Sequence, residues 1–106
     1  MKEIEDNTNQ CLKFRPKTIA DDDWMEIEDN EEGCFADLGF LGPNFGKHRL
    51  NIERTIDELD PKCTYKEVIV HELLHVLGVR HEQNRPDRDE YIEINWPKMQ
   101  VIKICI

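Results

Sequence analysis

An α+β fold is what this sequence predicts, and two observations carry that expectation. Short stretches of alternating apolar and polar residues fill the first half of the chain, as half-buried strands do. One strongly apolar, clearly bounded helical segment follows them, beginning at Thr64. With 106 residues the chain can build one core but not two independently stable ones, and it shows no internal repeat.

The elements follow in order. Cys11 to about Lys17 alternates and predicts a first strand, and Trp24 to Asp29 predicts a second, with Pro16 and the Asp21-Asp22-Asp23 run between them. Asn30-Glu31-Glu32-Gly33 is turn material, and Cys34-Phe35-Ala36-Asp37-Leu38 resumes an extended pattern. A loop with Gly39, Gly42, Pro43 and Gly46 leads to Leu50 and Ile52, which alternate with Arg49, Asn51 and Glu53 as a fourth strand. Thr55 to Pro61 reads as a loop or short helical turn. The helix then opens at Thr64-Tyr65-Lys66-Glu67, a capping-box pattern in which the threonine and glutamate side chains satisfy free amides. Val68, Ile69, Val70, Leu73, Leu74, Val76 and Leu77 form its body, and Gly78 is placed for a left-handed stop. Arg80 to Tyr91 is charged and irregular, Pro86 opposes further helix, and Tyr91 to Ile94 reads as extended.

Charge and composition exclude some functions. Fourteen basic against twenty-three acidic side chains give a net charge of -9, which repels nucleic acid and leaves no basic stripe for phosphates. Hydrophobic residues at 39% suit a polar globular domain rather than a disordered acidic tail. No apolar run is long enough for a membrane span, and the start Met1-Lys2-Glu3-Ile4-Glu5-Asp6 is acidic where a signal peptide is basic and then apolar. Cys11, Cys34, Cys63 and Cys105 contain no C-x-x-C pair, and their even number favours disulfides, with three full pairings open.

The chemistry concentrates in His71-Glu72-Leu73-Leu74-His75. Four residues turn a helix by about 400°, so both imidazoles project from one face, a turn apart, where they can grip one ion. Glu72 is displaced around the helix, placed to reach a metal-bound water rather than the metal. Gly78 lets the chain fold back, and His81 supplies a third ligand from outside the helix. Three protein ligands leave a position open, the mark of a catalytic rather than a structural zinc site. The expectation is one Zn2+ per chain held by His71, His75 and His81, with Glu72 as the base. His48 stands apart and reads as a polar loop or strand histidine.

The full run His71-Glu72-Leu73-Leu74-His75-Val76-Leu77-Gly78-Val79-Arg80-His81 is the H-E-x-x-H-x-x-G-x-x-H signature of the metzincins. The stretch Glu82-Gln83-Asn84-Arg85-Pro86-Asp87-Arg88-Asp89-Glu90-Tyr91 after it resembles the astacin family, as do Cys11-Leu12-Lys13-Phe14 and Gly33-Cys34 upstream. The likeness covers roughly Cys11 to Met99. It implies a zincin-like N-terminal subdomain, a twisted, largely parallel sheet backed by helices, with a zinc-binding active-site helix. The activity it implies is that of a secreted or extracellular zinc metalloendopeptidase acting on extended protein or peptide substrates. It further implies a Cys34–Cys63 bridge, leaving Cys105 as a substitute partner for Cys11. Glu82 matches the residue that anchors the mature N-terminus, and Arg85, Asp87, Arg88 and Asp89 match a structural stretch without catalytic role. An edge strand near Arg49 to Ile52 is the expected place for substrate, because strand addition recognises any peptide backbone.

Three departures accompany the resemblance. Met99 is the only methionine after His81, and Gln100-Val101-Ile102 does not continue it as a Met-turn, so the extra-ligand tyrosine of that turn is absent too. The segment Glu53 to Pro61 is longer than the family's link. The leading strand and propeptide are lacking before Met1. Residues 1–106 therefore read as a partial peptidase domain, running through the zinc motif, with the C-terminal subdomain missing. A catalytically weak or silent zinc-binding fragment and an unrelated helical protein with a chance motif are the rival readings. The retained Glu72 opposes the first, and the coincidence of caps, hinge and downstream motif opposes the second.

Overall fold

The computed structural model describes residues 1–54 and 62–98. Its elements are helix α1 (Lys2–Asn7), strands β1 (Trp24–Glu28), β2 (Cys34–Ala36) and β3 (Lys47–Ile52), and helix α2 (Lys66–Val76). Single 3-10 turns span Lys62–Thr64, Glu82–Asn84, Arg88–Glu90 and Trp96–Lys98. Helices and a small mixed sheet are the expected α+β class.

The sheet order is β1-β3-β2. β1 lies parallel to β3, with Trp24 opposite Lys47 and Glu28 opposite Asn51, and β2 lies antiparallel, with Cys34 opposite Ile52. β3 is therefore central. Both its edges are already paired, so Arg49 to Ile52 cannot be the substrate edge that the sequence suggested. Among the described residues, the unpaired outer edges belong to β1 and β2.

Ile4, Leu50 and Leu73 are buried together, and Leu12, Phe14, Met25, Ala36, Ile52, Ile69 and Val76 pack against them. One residue each from α1, β3 and α2 thus forms the centre. Fully burying a leucine side chain contributes about 2–3 kcal/mol, so Leu50 and Leu73 anchor the docking of α2 on the sheet. α1 has no counterpart in the sequence reading. A single apolar residue, Ile4, is its buried face, too little for a periodicity to show.

The segment Cys11 to Lys17 is not a strand. Leu12 and Phe14 pack on the core as their alternation predicts. Their amides, however, donate locally, Leu12 to Thr8 Oγ1 at 3.4 Å and Phe14 to Glu5 Oε1 at 2.7 Å, and Pro16 has no N–H to give. Tyr91 to Ile94 likewise joins no ladder among the described residues. The helix start is shifted as well: α2 begins at Lys66, its N-cap is Tyr65 with no side-chain cap bond, and Thr64 belongs to the preceding 3-10 turn. That turn holds Cys63, which is bridged to Cys34, so a covalent tie to β2 sets the direction of entry into the helix. Cys11 is a free, exposed thiol. Its suggested partner Cys105, Met99, and the loop Thr55 to Pro61 all lie outside the described residues.

Candidate metal centre

α2 ends as its sequence requires. Gly78 takes φ +91, a left-handed conformation that side chains with a Cβ rarely adopt. Val79 N–H donates to Leu74 O at 3.0 Å and Gly78 N–H to His75 O at 2.8 Å, the paired bonds of a Schellman closure. The chain therefore reverses in two residues and runs back along the helix end.

That reversal brings three imidazoles together. His81 Nε2 lies 3.0 Å from His71 Nε2 and 3.0 Å from His75 Nε2. All three ligand nitrogens fall within 4.8 Å of one another. His75 Nδ1 lies 2.8 Å from Val79 O, and because a carbonyl oxygen only accepts, Nδ1 carries the hydrogen and Nε2 presents its lone pair. The hinge that positions His81 thus also selects the tautomer of His75. Two nitrogens each about 2.05 Å from one ion at the tetrahedral angle would stand roughly 3.3 Å apart, close to the separations seen. A cation is what makes three facing lone pairs compatible, so the donor set fits zinc.

Glu72 is outside this nitrogen cluster. It is buried, at 6% exposure, and makes no hydrogen bond or ion pair among the described residues. Among the described residues the fully buried polar atom without a hydrogen-bond partner is His48 Nε2 and not a Glu72 oxygen, so the Glu72 carboxylate keeps contact with the surface. His48, expected as a polar loop or strand histidine, is on β3 and buried, its ring against Phe40 and Phe45 with centroids 5.7 and 5.3 Å away. It is not part of the group formed by His71, His75 and His81.

A cleft of about 530 Å³ opens at the imidazoles, bounded by Ala36 and Leu38 on one side and by His75, Arg80, His81, Asn84, Arg85 and Pro86 on the other. The near wall is the β2 edge and its continuation. It is held to the helix end by Gly39 N–H, which donates to His75 O at 2.8 Å. A Cβ on Gly39 would come 3.2 Å from Gly78 Cα, so two glycines face to face permit this approach. The far wall is stapled by charge. Arg85 bonds both Glu82 and Asp87 and lies over the Tyr91 ring at 5.6 Å, while Arg88 donates to Gln83 O and lies over Trp96 at 5.8 Å. The Arg85 guanidinium holds the Asp87 carboxyl below its ordinary value, and Asp87, then Glu82, raise that of Arg85. These contacts agree with a structural role for the charged stretch. Ala36, Leu38, Asn84 and Pro86 were not expected as cleft residues from the sequence, since nothing local marks a residue as facing a cleft built from two distant segments.

Comparison with known proteins gives a consistent result. The profile of the astacin peptidase family matches residues 1–103. Zinc metalloproteinase nas-13 of Caenorhabditis elegans is 38% identical over 90 residues, 85% of this chain and 18% of that protein. Zinc metalloproteinase dpy-31 of the same organism is 44% identical over 86 residues, 81% of this chain and 13% of that protein. High choriolytic enzyme 1, a hatching enzyme zinc-protease from Oryzias latipes, has a solved structure that matches with a TM-score of 0.64 at 37% identity, over 82% of this chain and 38% of that one. The chain spans well under half the length of each of these relatives.

Proposed function

This chain belongs to the astacin family, and from that premise we propose that it forms the metal-binding part of a zinc-dependent endopeptidase domain. In this reading His71, His75 and His81 hold one zinc ion through Nε2, and Glu72 is the catalytic base. The observation that carries it is the convergence of the three Nε2 atoms, with the His75 tautomer already selected by Val79 O.

Zinc, when bound, supplies a Lewis acid and a water of pKa about 7. The chain's own residues do the rest. Glu72, without a competing partner, takes the proton of the attacking water and returns it to the departing amine. The peptide lies extended along the outer edge of β2, whose Ala36 and whose neighbour Leu38 line the same cleft as His75 and His81. The Cys34–Cys63 bridge supports an extracytoplasmic setting.

The test is a pair of variants in the full-length gene product. Glu72→Gln should keep zinc and lose most peptide cleavage, since the amide preserves shape and removes the base. His75→Ala should lose the zinc itself. Undiminished cleavage in the first variant, or undiminished zinc in the second, would sink the assignment.

A further inference from the structure

Asn51 has no exposed surface at all, 0%, the most completely buried polar side chain among the described residues. It sits on β3 opposite Phe35 of β2. Its amide bonds a neighbouring turn rather than another strand. Nδ2 donates to Glu31 O at 2.8 Å and to Gly33 O at 2.7 Å, and Oδ1 accepts from Glu31 N–H at 3.3 Å. Both donors and one acceptor position are thereby used on residues 31–33, which lead directly into β2.

β2 is a short strand with, among the described residues, a ladder partner on one side only. Its far end is pinned by Asp37 N–H, which donates to Arg49 O at 2.9 Å, by Arg49 N–H, which donates back to Asp37 Oδ2 at 2.6 Å, and by the Gly39 bond to His75 O. Its near end depends on the turn. Glu53 Oε2 accepts from Gly33 N–H at 2.8 Å, and Arg49 pairs with Glu31, but both carboxylates belong to residues partly open to water, and these contacts are correspondingly weaker. The Asn51 side chain bonds from the dry interior, where each bond is stronger and where losing one leaves a polar group unsatisfied.

We propose that Asn51 is a positioning residue for the peptide substrate. By clamping the turn at residues 31–33 it holds the outer edge of β2 in place relative to the three imidazoles. The inference rests on the β2 edge as the substrate strand. Strand addition requires the added backbone to lie about 4.7–4.9 Å from the edge strand, so a displaced edge loses several bonds at once. Asn51 never touches substrate; it acts through Gly33 and Cys34.

The experiment uses the full-length gene product loaded with zinc and two probes with the same metal-binding head, acetohydroxamate and a hydroxamate carrying a short extended peptide. The unchanged chain should bind the peptide hydroxamate more tightly. Equal affinities would overturn the substrate edge and this proposal with it, whereas failure to take up zinc would overturn the metal site. Asn51→Leu, similar in size and without hydrogen-bonding groups, should weaken the peptide hydroxamate about tenfold or more and leave zinc uptake and acetohydroxamate as they were. Asn51→Ser, which keeps one hydroxyl donor, should show a smaller loss of the same kind and serves if the leucine variant does not fold. A merely structural role would weaken both probes together. That parallel loss, or full peptide affinity in the variant, overturns the proposal.

Discussion

Removing the Cys34–Cys63 bridge is the perturbation whose size follows most directly from the structure. The bridge joins residues 29 apart in sequence, tying the start of β2 to the turn before α2. In the chain-entropy description, closing a loop of that length costs the unfolded state about 3.6 kcal/mol at 25 °C. That is a large share of the roughly 5–15 kcal/mol typical of a whole domain, and the described core here is small. The double variant Cys34→Ala/Cys63→Ala should lose about that amount, plus a smaller loss from the atoms removed at the fully buried Cys63. With a urea slope of about 1.5 kcal/mol/M, the midpoint moves down by roughly 2.4 M. Tryptophan fluorescence in urea measures it, and the reduced unchanged chain separates the bridge from the buried sulfur. A loss below about 1 kcal/mol would refute the reasoning, because it would mean the bridge constrains little that the fold does not already hold.

Other expectations concern the hinge, the core and acid. Gly78→Ala, forced toward φ +91 beside Gly39, should cost about 1 kcal/mol or more and weaken zinc binding by displacing His81; zinc titration showing native affinity would contradict the hinge role. Leu73→Ala should destabilise by about 2–5 kcal/mol, read from the same urea transition, and a smaller loss would mean that α2 is not anchored there. Asp21, Asp23, Glu28 and Asp87 have carboxyls held below their ordinary range: Asp21 by Arg15, Asp23 by the Gly46 amide, Glu28 by Lys47 and Asp87 by Arg85. Groups whose pKa is lowered by folding stabilise fully above their unfolded value, near about 4, and that stabilisation is lost as pH falls through the folded range. The thermal midpoint should therefore drop below about pH 4, and drop less in high salt; a midpoint flat down to about pH 2.5 would contradict it.

The sequence by itself determined what depends on neighbours along the chain. The i, i+4 spacing of His71 and His75 places two rings on one helix face, and Gly78 with its glycine-only conformation places His81 beside them, so the triad was legible before any coordinate. β1, β2 and β3 were legible too from alternating apolar and polar residues in the sequence, although burial along β3 does not alternate, Leu50 and Asn51 both being fully buried. Only the tertiary structure decided which strand is central, since pairing is made between backbones that carry no sequence label. Hence β3, expected at the edge, lies in the middle, and β2 forms the cleft wall. It also decided that Cys11 to Lys17, with a strand's alternation, spends its amides on Thr8 and Glu5 instead of a ladder. Gly39 and Asn51 read alone as a loop glycine and a polar strand residue. Their roles, a close backbone approach to Gly78 and a buried clamp on residues 31–33, arise between segments distant in sequence, where local propensity has nothing to say.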